Sequence, residues 1–288
     1  MKKRPPVGVL LALFLGLLAA SSGGVRAQSG FSPNQELPLP LTAGQLPVSF
    51  VVRGLEPSLR VDAQGTVYVA TIRGVPGGVD LHRWSPAVDP PPNADGTYPF
   101  KYEGQPDGCG ILAGGCSLIG IAEGGGDVDL AVNYPSAGVP NLALTSLTLA
   151  PGVTATHSTD RGDHFTNPNP VAALVPGDDR MWMDGTGAQR VYVSYHDAAT
   201  FNLEVQRSAD GGQTYVDGFG EAIDPATFPA AGGVPATNTS NVAGSIRVDR
   251  SACPSRGNLY QMFAAPTAPP RTSRGSPSAR PTWASRRT

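Results

Sequence analysis

The chain has 288 residues, enough to bury a sizeable core in one or two domains. Glycine and proline are abundant, with 36 and 29 residues, whereas only 15% of the residues are charged. Strand-forming runs such as residues 66–70 and 190–194 lie between the turn residues. The composition therefore indicates a turn-rich, all-β protein rather than a disordered chain.

Charge is distributed unevenly along the sequence. The first 27 residues contain four basic and no acidic residues, and residues 266–288 contain five arginines and no acid. The body, residues 28–265, holds 12 basic and 23 acidic residues, a net charge of −11. Because such a body repels phosphate backbones, a nucleic-acid partner is not expected.

The N-terminus predicts an export signal. A basic start at residues 2–4 is followed by an apolar run at residues 7–20 and a small-residue cleavage site at residues 25–27. The apolar run is too short to span a bilayer comfortably, and no cysteine follows it for a lipid anchor. Residues 1–27 are therefore predicted to be a signal peptide, residues 28–54 an extended lead-in, and the mature protein a secreted monomer with no membrane partner.

Residues 55–265 contain repeated strand units. Residues 58–62 and 245–249 are near-copies, Ser-Leu-Arg-Val-Asp and Ser-Ile-Arg-Val-Asp. A turn follows each copy and leads into a second strand that contains a tyrosine, at residues 67–69 and 258–260. A turn and a tyrosine-containing strand of the same kind occur at residues 191–193. A four-stranded antiparallel unit of about 45–50 residues repeated around an axis is a β-propeller blade. The sequence thus predicts an all-β propeller with about three blades and a partial fourth.

Two copies of the pattern Ser-x-Asp-x-Gly-x-x-aromatic begin fifty residues apart. They consist of Ser158, Asp160, Gly162 and Phe165, and of Ser208, Asp210, Gly212 and Tyr215. In such a box the aspartate accepts backbone hydrogen bonds, the glycine supplies a positive φ, and the aromatic ring packs back onto the blade. The boxes are predicted to fix hairpin turns rather than to act in catalysis.

The cysteine count is odd for an exported chain. Cys109 and Cys116 flank a short glycine-containing loop, and a disulfide between them is expected in an oxidising compartment, with metal ligation as the weaker alternative. Cys253 has no partner in the sequence. Residues 266–288, rich in Arg, Pro and Ser, are predicted to be either a disordered tail or out-of-frame translation that replaces the native continuation.

The two boxes resemble the Asp-box, or bacterial neuraminidase repeat, of sialidase-superfamily β-propellers, and the resemblance covers residues 55–265. It implies a six-bladed fold with the boxes at the periphery. It also implies a glycoside hydrolase of the exo-α-sialidase type that acts on sialylated or related glycans without a cofactor. Two alternatives remain open: a non-catalytic propeller that binds a glycan or a protein, and an inactive truncated fragment.

Members of that superfamily bind the substrate carboxylate with three arginines. Arg60, Arg180 and Arg247 lie on the first strands of three units and are the candidates for such a clamp, since a guanidinium group pairs well with a carboxylate. The alternative is that they form ion pairs between blades. The Tyr-Glu nucleophile pair of the superfamily has no matching context here and is not assigned.

Further binding candidates lie in the third unit. Asp178, Asp179 and Trp182 are at its opening, and His196 and Asp197 are at the end of its second strand. Trp182, like Trp84, has either a sugar or the protein core as its stacking partner. Asp127 and Asp129 are candidates for a calcium site, with a solvated rim of backbone-capping carboxylates as the alternative.

Overall fold

The structure is a computed structural model. It describes residues 34–38, 54–74, 77–108, 124–135, 137–148, 152–166, 169–170, 179–197, 202–215, 243–252, 256–264 and 281–286. The chain divides into a small unit, residues 1–35 with 93–97, and a large unit, residues 36–92 with 98–288. In the small unit, the Asn93 N–H donates to the Thr97 carbonyl at 2.8 Å and closes a turn. All the strands described below belong to the large unit.

Fourteen strands form four antiparallel sheets, and the described residues contain no α-helix. Blade 1 consists of β1 (Leu55–Val61), β2 (Val67–Ile72), β3 (Val79–Trp84) and β4 (Lys101–Gly104). Blade 2 consists of β5 (Val128–Val132), β6 (Leu142–Leu147), β7 (Val153–Ser158) and β8 (Asn169–Pro170). Blade 3 consists of β9 (Asp179–Thr186), β10 (Arg190–Asp197) and β11 (Asn202–Ser208), and blade 4 of β12 (Ala243–Val248), β13 (Leu259–Ala264) and β14 (Pro281–Arg286). The described residues form no helix long and apolar enough to cross a membrane.

The near-copies in the sequence occupy equivalent places in blades 1 and 4. Arg60 of β1 lies opposite Tyr68 of β2, and Arg247 of β12 lies opposite Tyr260 of β13. The aspartate that ends each copy caps the following turn. In blade 1, Asp62 Oδ1 accepts hydrogen bonds of 2.9 Å from two backbone amides. This local side-chain bonding ends the strand and starts the hairpin.

The sheets stack face to face around an axis. The first strands of consecutive blades touch in order, β1 with β5, β5 with β9, and β9 with β12. A buried apolar cluster fills each gap between blades. Representative members are Tyr68 with Leu130 between blades 1 and 2, Ala143 with Met183 between blades 2 and 3, and Tyr192 with Ile246 between blades 3 and 4. The second strands of blades 1, 2 and 3, which are β2, β6 and β10, are buried along most of their length. The prediction of an all-β propeller of antiparallel blades is confirmed.

The two boxes form the same closed turn. In each, the serine hydroxyl donates to the aspartate at 2.8 or 2.7 Å and accepts the glycine N–H at 2.8 Å. The aspartate also accepts a backbone N–H at 2.9 Å four residues later in the chain. Phe165 packs on the cluster between blades 1 and 2, and Tyr215 on the cluster between blades 2 and 3.

Each box also contacts the preceding blade. The Arg83 guanidinium of β3 donates to the Arg161 carbonyl at 3.1 Å and to the Asp163 carboxylate at 3.0 Å, both in the first box. A Cβ added at Gly212 of the second box would lie 2.6 Å from the Ala143 Cβ of β6. The boxes therefore close their own hairpins and join neighbouring blades.

Strand β4 was not expected from the sequence, because its residues are polar. An ion pair and a hydroxyl hydrogen bond, rather than alternating apolar side chains, attach β4 to β3. Glu103 lies 3.1 Å from the Arg83 guanidinium, and the Tyr102 hydroxyl donates to Asp80 at 2.7 Å. Lys101 adds a contact of 2.9 Å to Glu103.

The C-terminal segment contributes a strand to blade 4. Residues 281–286 form β14, which pairs with β13 along its full length. The disordered or out-of-frame character of residues 266–288 stays a prediction. Cys109, Cys116 and Cys253 lie outside the described residues, as do the predicted signal peptide and most of the predicted lead-in.

The entry to blade 2 requires glycine, and a substitution there should be costly. Gly125 has a φ of +114°, and a Cβ at this position would lie 2.5 Å from the Gly78 nitrogen and 2.6 Å from the Gly74 oxygen. Gly125→Ala is expected to lower the free energy of unfolding by at least about 2 kcal/mol, from backbone strain plus overlap with backbone atoms that cannot turn away. Urea denaturation measures the loss.

Gly138→Ala is the matched control for this prediction. Gly138 also has a positive φ, +89°, but a Cβ added there meets no atom within 4 Å. It should lose only the conformational cost, about 1 kcal/mol. Equal losses for the two variants would contradict the proposed backbone overlap at Gly125.

Candidate functional site

A cleft of about 400 Å³ lies at the starts of the first strands of blades 1, 2 and 3. Its lining comes from β1, from the entry and start of β5, and from β9: Glu56, Pro57, Ser58, Leu59, Arg60, Asp127, Val128, Asp129, Arg180, Met181 and Trp182. In a propeller these strand ends surround the axis. The cleft therefore collects side chains from three blades that are far apart in the sequence.

Irregular backbone positions two of the lining residues. The pairing of β1 with β2 shifts register between Leu55 and Ser58, next to Glu56, and the pairing of β9 with β10 shifts beside Arg180. Glu56 and Arg180 have φ values of 45° and 52°, and they are two of the three non-glycine residues with positive φ in the described part of the chain. Bulges and left-handed backbone of this kind occur at functional sites, where they redirect side chains.

Arg180 links the three blades at the mouth of the cleft. Its Nη1 donates to Glu56 Oε2 at 3.0 Å, and its Nε lies 3.7 Å from Asp127 Oδ2. The Arg180 backbone N–H also donates to that Asp127 oxygen at 3.2 Å. The side chains of Arg180 and Glu56 are 45% and 48% exposed, so a ligand in the cleft can reach both.

A buried ion pair forms the floor of the cleft. Arg60 Nη2 donates to both oxygens of Asp129, at 2.8 and 2.9 Å, and Ser58 donates its hydroxyl to the same carboxylate at 2.5 Å. The Met183 N–H of blade 3 donates to Asp129 at 2.7 Å. Burial raises the pKa of Asp129, while the Arg60 charge and the hydrogen bonds oppose that rise. This carboxylate therefore joins blades 1, 2 and 3.

Blade 3 repeats part of this device towards blade 4. The Val248 N–H donates to the carboxylate of Asp184 at 2.8 Å, as the Met183 N–H does to Asp129. Arg250 pairs with Asp184 and stacks over the Tyr134 ring, 4.5 Å from its centroid. The repetition favours a structural role for these buried first-strand aspartates.

The structure brings together five of the residues singled out in the sequence: Arg60, Asp127, Asp129, Arg180 and Trp182. Trp182 is half-buried, since it also packs on the cluster between blades 3 and 4. The third arginine, Arg247, does not line the cleft; it is exposed and donates to the Ile246 carbonyl at 2.7 Å.

The other binding candidates either lie away from the cleft or fall outside the described residues. His196 is buried within β10 with 1% of its surface exposed, and Trp84 is part of the packed interior, its indole N–H donating to the Pro90 carbonyl at 2.8 Å. Neither lines the cleft. Asp178 and the side chains of Asp179 and Asp197 lie outside the described residues.

No cation cage is visible in the part of the chain that the structure describes, where no three His, Cys, Asp or Glu side chains group together as metal ligands would. Asp127 and Asp129 both line the cleft, but each contacts an arginine. Calcium binding by these two residues stays a prediction.

Glu56 is the charged cleft residue that the sequence did not single out. It precedes Pro57 in a strand whose regular pairing begins only at Ser58. Proline cannot donate to a ladder and is found at strand edges and bulges. A charged residue beside a proline, just before a repeated strand, was therefore the available signal of a bulge at the axis.

Neither a protein-family model nor a curated protein matches the sequence. Several solved structures are similar to the chain at low sequence identity. The chain is 10% identical to the GH93 α-L-arabinofuranosidase of Fusarium graminearum in complex with arabinobiose, covering 81% of this chain and 62% of that one at a TM-score of 0.47. It is 12% identical to the fucose-specific lectin from Aleuria aurantia, covering 75% and 60% at a TM-score of 0.43.

A third similar structure is the Hadza microbial sialidase Hz136, at 12% identity and a TM-score of 0.41, with 80% of this chain and 45% of that chain covered. The chain thus spans less than two thirds of the length of each of these three proteins. At TM-scores below 0.5 these likenesses assign no ligand, reaction or residue. The blade-by-blade contacts described above establish the architecture: this chain is an all-β propeller with a three-blade cleft at its axis.

Proposed function

We propose that the chain binds a glycan in the axial cleft. The observation that carries the proposal is the convergence of Trp182, Glu56, Asp127 and Arg180 from three blades on one cleft of about 400 Å³. The indole offers a flat apolar surface for the C–H face of a sugar ring, and the charged groups offer hydrogen bonds to hydroxyls. A concave site with an aromatic surface and a few convergent polar groups fits a small polar ligand.

Hydrolysis of a glycosidic bond is the reaction that this donor set supports. Glycoside hydrolases use a pair of carboxyl groups, one as acid and the other as nucleophile or base. Glu56 and Asp127 supply two accessible or partly accessible carboxylates on either side of Arg180. Non-catalytic glycan binding is the alternative, and turnover of aryl glycosides distinguishes the two.

A sialidase-type activity is the more specific candidate. It would require Arg60 and Arg180, which line the same cleft, to exchange their present carboxylate partners for the carboxylate of a sialoside. Release of a fluorogenic group from a sialoside, abolished in Arg180→Ala, would support it. Binding of sialosides on a glycan array without release would support a lectin instead.

We also propose that the protein is exported, on the support of the signal pattern in residues 1–27. The mature N-terminus should then be Gln28. N-terminal sequencing of protein from the culture medium checks this, and an intact Met1 in the medium would contradict it.

Trp182 gives the direct test of the glycan site. Trp182→Ala is expected to weaken binding of the best array glycan about tenfold, because the stacking surface is lost. Trp182→Phe keeps an aromatic face and should lose less. Titration calorimetry with the glycan measures both, after circular dichroism has shown that each variant is folded. Unchanged affinity in Trp182→Ala would place the glycan elsewhere. Binding of a protein but of no glycan would contradict glycan binding and indicate a protein-binding propeller instead.

A further inference from the structure

The charges of the cleft carry information about which sugars it accepts. Its ionisable lining residues are the carboxylates of Glu56, Asp127 and Asp129 and the guanidinium groups of Arg60 and Arg180. Three negative charges thus face two positive charges. The cleft has a net charge of −1 before any ligand enters it.

The arginines are already engaged with the protein. Arg60 is only 17% exposed and donates to Asp129 through Nη2 and to the Leu59 carbonyl through Nη1 at 2.9 Å. A ligand carboxylate that paired with Nη2 of Arg60 would have to displace Asp129, which also accepts the Met183 N–H and the Ser58 hydroxyl. Displacement would leave a buried carboxylate without its cation, which is strongly unfavourable.

The accessible arginine, Arg180, is paired with Glu56. The carboxylate of Glu56 contacts Nη1 of Arg180 at 3.0 Å and is itself about half exposed at the mouth of the cleft. The register shift between Leu55 and Ser58 and the positive φ of Glu56 position it there, at a conformational cost. An acidic ligand that paired with Arg180 would bring its carboxylate next to the Glu56 carboxylate, which already contacts that guanidinium.

From these contacts we propose that the cleft selects uncharged sugars and that Glu56 is the residue that excludes acidic ones. The proposal rests on glycan binding in the axial cleft and favours its neutral-sugar form over the sialoside form. Hydroxyl groups can donate to Glu56 and Asp127 and accept from Arg180, so a neutral sugar uses both signs of charge. A uronate or sialic acid adds a second negative charge at hydrogen-bonding distance, and the repulsion disfavours it on the order of tenfold or more.

The test compares matched ligand pairs: the methyl glycosides of glucose and glucuronate and of galactose and galacturonate, with a methyl sialoside as a further acidic probe. Each pair has the same ring and differs only in the group at C6. The wild-type protein is expected to bind the neutral member at least about tenfold more tightly. Glu56→Gln should reduce that ratio about tenfold, because Arg180 can then pair with the ligand carboxylate. Glu56→Asp keeps the charge and should keep most of the discrimination.

Glu36→Gln is the matched control for charge. It removes the same charge from an exposed residue that does not line the cleft, and it should leave the ratio unchanged. If the wild-type protein binds the acidic member or the sialoside as tightly as the neutral sugars, the proposed selectivity is wrong. Glycan binding in the cleft would still stand. A folded Glu56→Gln protein with an unchanged ratio would overturn the role of Glu56 alone. Failure of every sugar to bind would overturn the proposed function and, with it, this inference.

Discussion

Replacing Asp129 with alanine is expected to destabilise the protein by about 3–5 kcal/mol. The carboxylate accepts hydrogen bonds from Arg60, Ser58 and the Met183 N–H, so its removal affects blades 1, 2 and 3. Arg60 would remain largely buried without its counter-ion, and the Met183 N–H would lose its acceptor in the interior. Loss of one partner of a buried pair costs far more than the pair itself contributes. Equilibrium unfolding in urea measures the change.

Two further variants isolate the buried charge as the cause. Asp127→Ala removes a carboxylate from the same cleft, but its partner Arg180 is 45% exposed, so the loss should stay within about 1 kcal/mol. In the Asp129→Ala background, Arg60→Met removes the uncompensated charge and should restore part of the lost stability. If Asp129→Ala costs no more than Asp127→Ala, or if Arg60→Met restores nothing, the ion pair does not hold the blades together.

The repeated strands could be predicted because their signals are local. Asp62 caps its own turn through amides two and four residues away, and the two boxes bond within eight residues. Such contacts depend only on nearby sequence, so a turn residue and an alternating pattern suffice to reveal them. β4 lacks that signal, since Glu103 and Tyr102 are held by partners on β3 that the sequence does not place beside them.

The candidate site was only partly predictable, for a related reason. Arg60 and Arg180 could be assigned to the axis from their positions on first strands, yet the sequence left open whether they face a ligand or other blades. Their partners Asp129 and Glu56 lie 69 and 124 residues away in the chain, so the pairing follows from the stacking of the blades. Arg247 occupies the place in blade 4 that Arg60 occupies in blade 1, but it is not part of the described cleft. Equivalent repeat positions therefore do not imply equivalent roles.

The stability of the protein is expected to fall between pH 5 and pH 8 because of Asp107. This residue lies in the 3₁₀ turn Pro106–Gly108, where it is fully buried. One of its oxygens accepts the Val79 N–H at 3.0 Å, and the other lies 3.1 Å from the Ser146 hydroxyl of blade 2. Burial raises the pKa of Asp107 from 3.8 to about 7, and the two hydrogen bonds offset only part of that effect.

The sign follows from proton binding. Between its pKa values of 3.8 in the unfolded chain and about 7 in the folded protein, Asp107 binds more protons when folded, so unfolding releases protons and rising pH favours unfolding. The stability that protonation contributes is complete below the unfolded pKa and is lost as the pH rises through about 7. Between pH 5 and pH 8 the expected loss is about 2–3 kcal/mol.

Asp107→Asn provides the comparison that assigns this loss. The asparagine carbonyl can still accept the Val79 N–H, its amide can donate to Ser146, and it does not titrate. The pKa values of His82 and His157 are lowered by burial, and both residues are present in the two proteins, so their contributions cancel in the difference. Urea denaturation at pH 5, 6, 7 and 8 should show the wild type losing about 2–3 kcal/mol relative to Asp107→Asn. Parallel stability curves for the two proteins would mean that the Asp107 carboxyl is already ionised in the folded protein at pH 5.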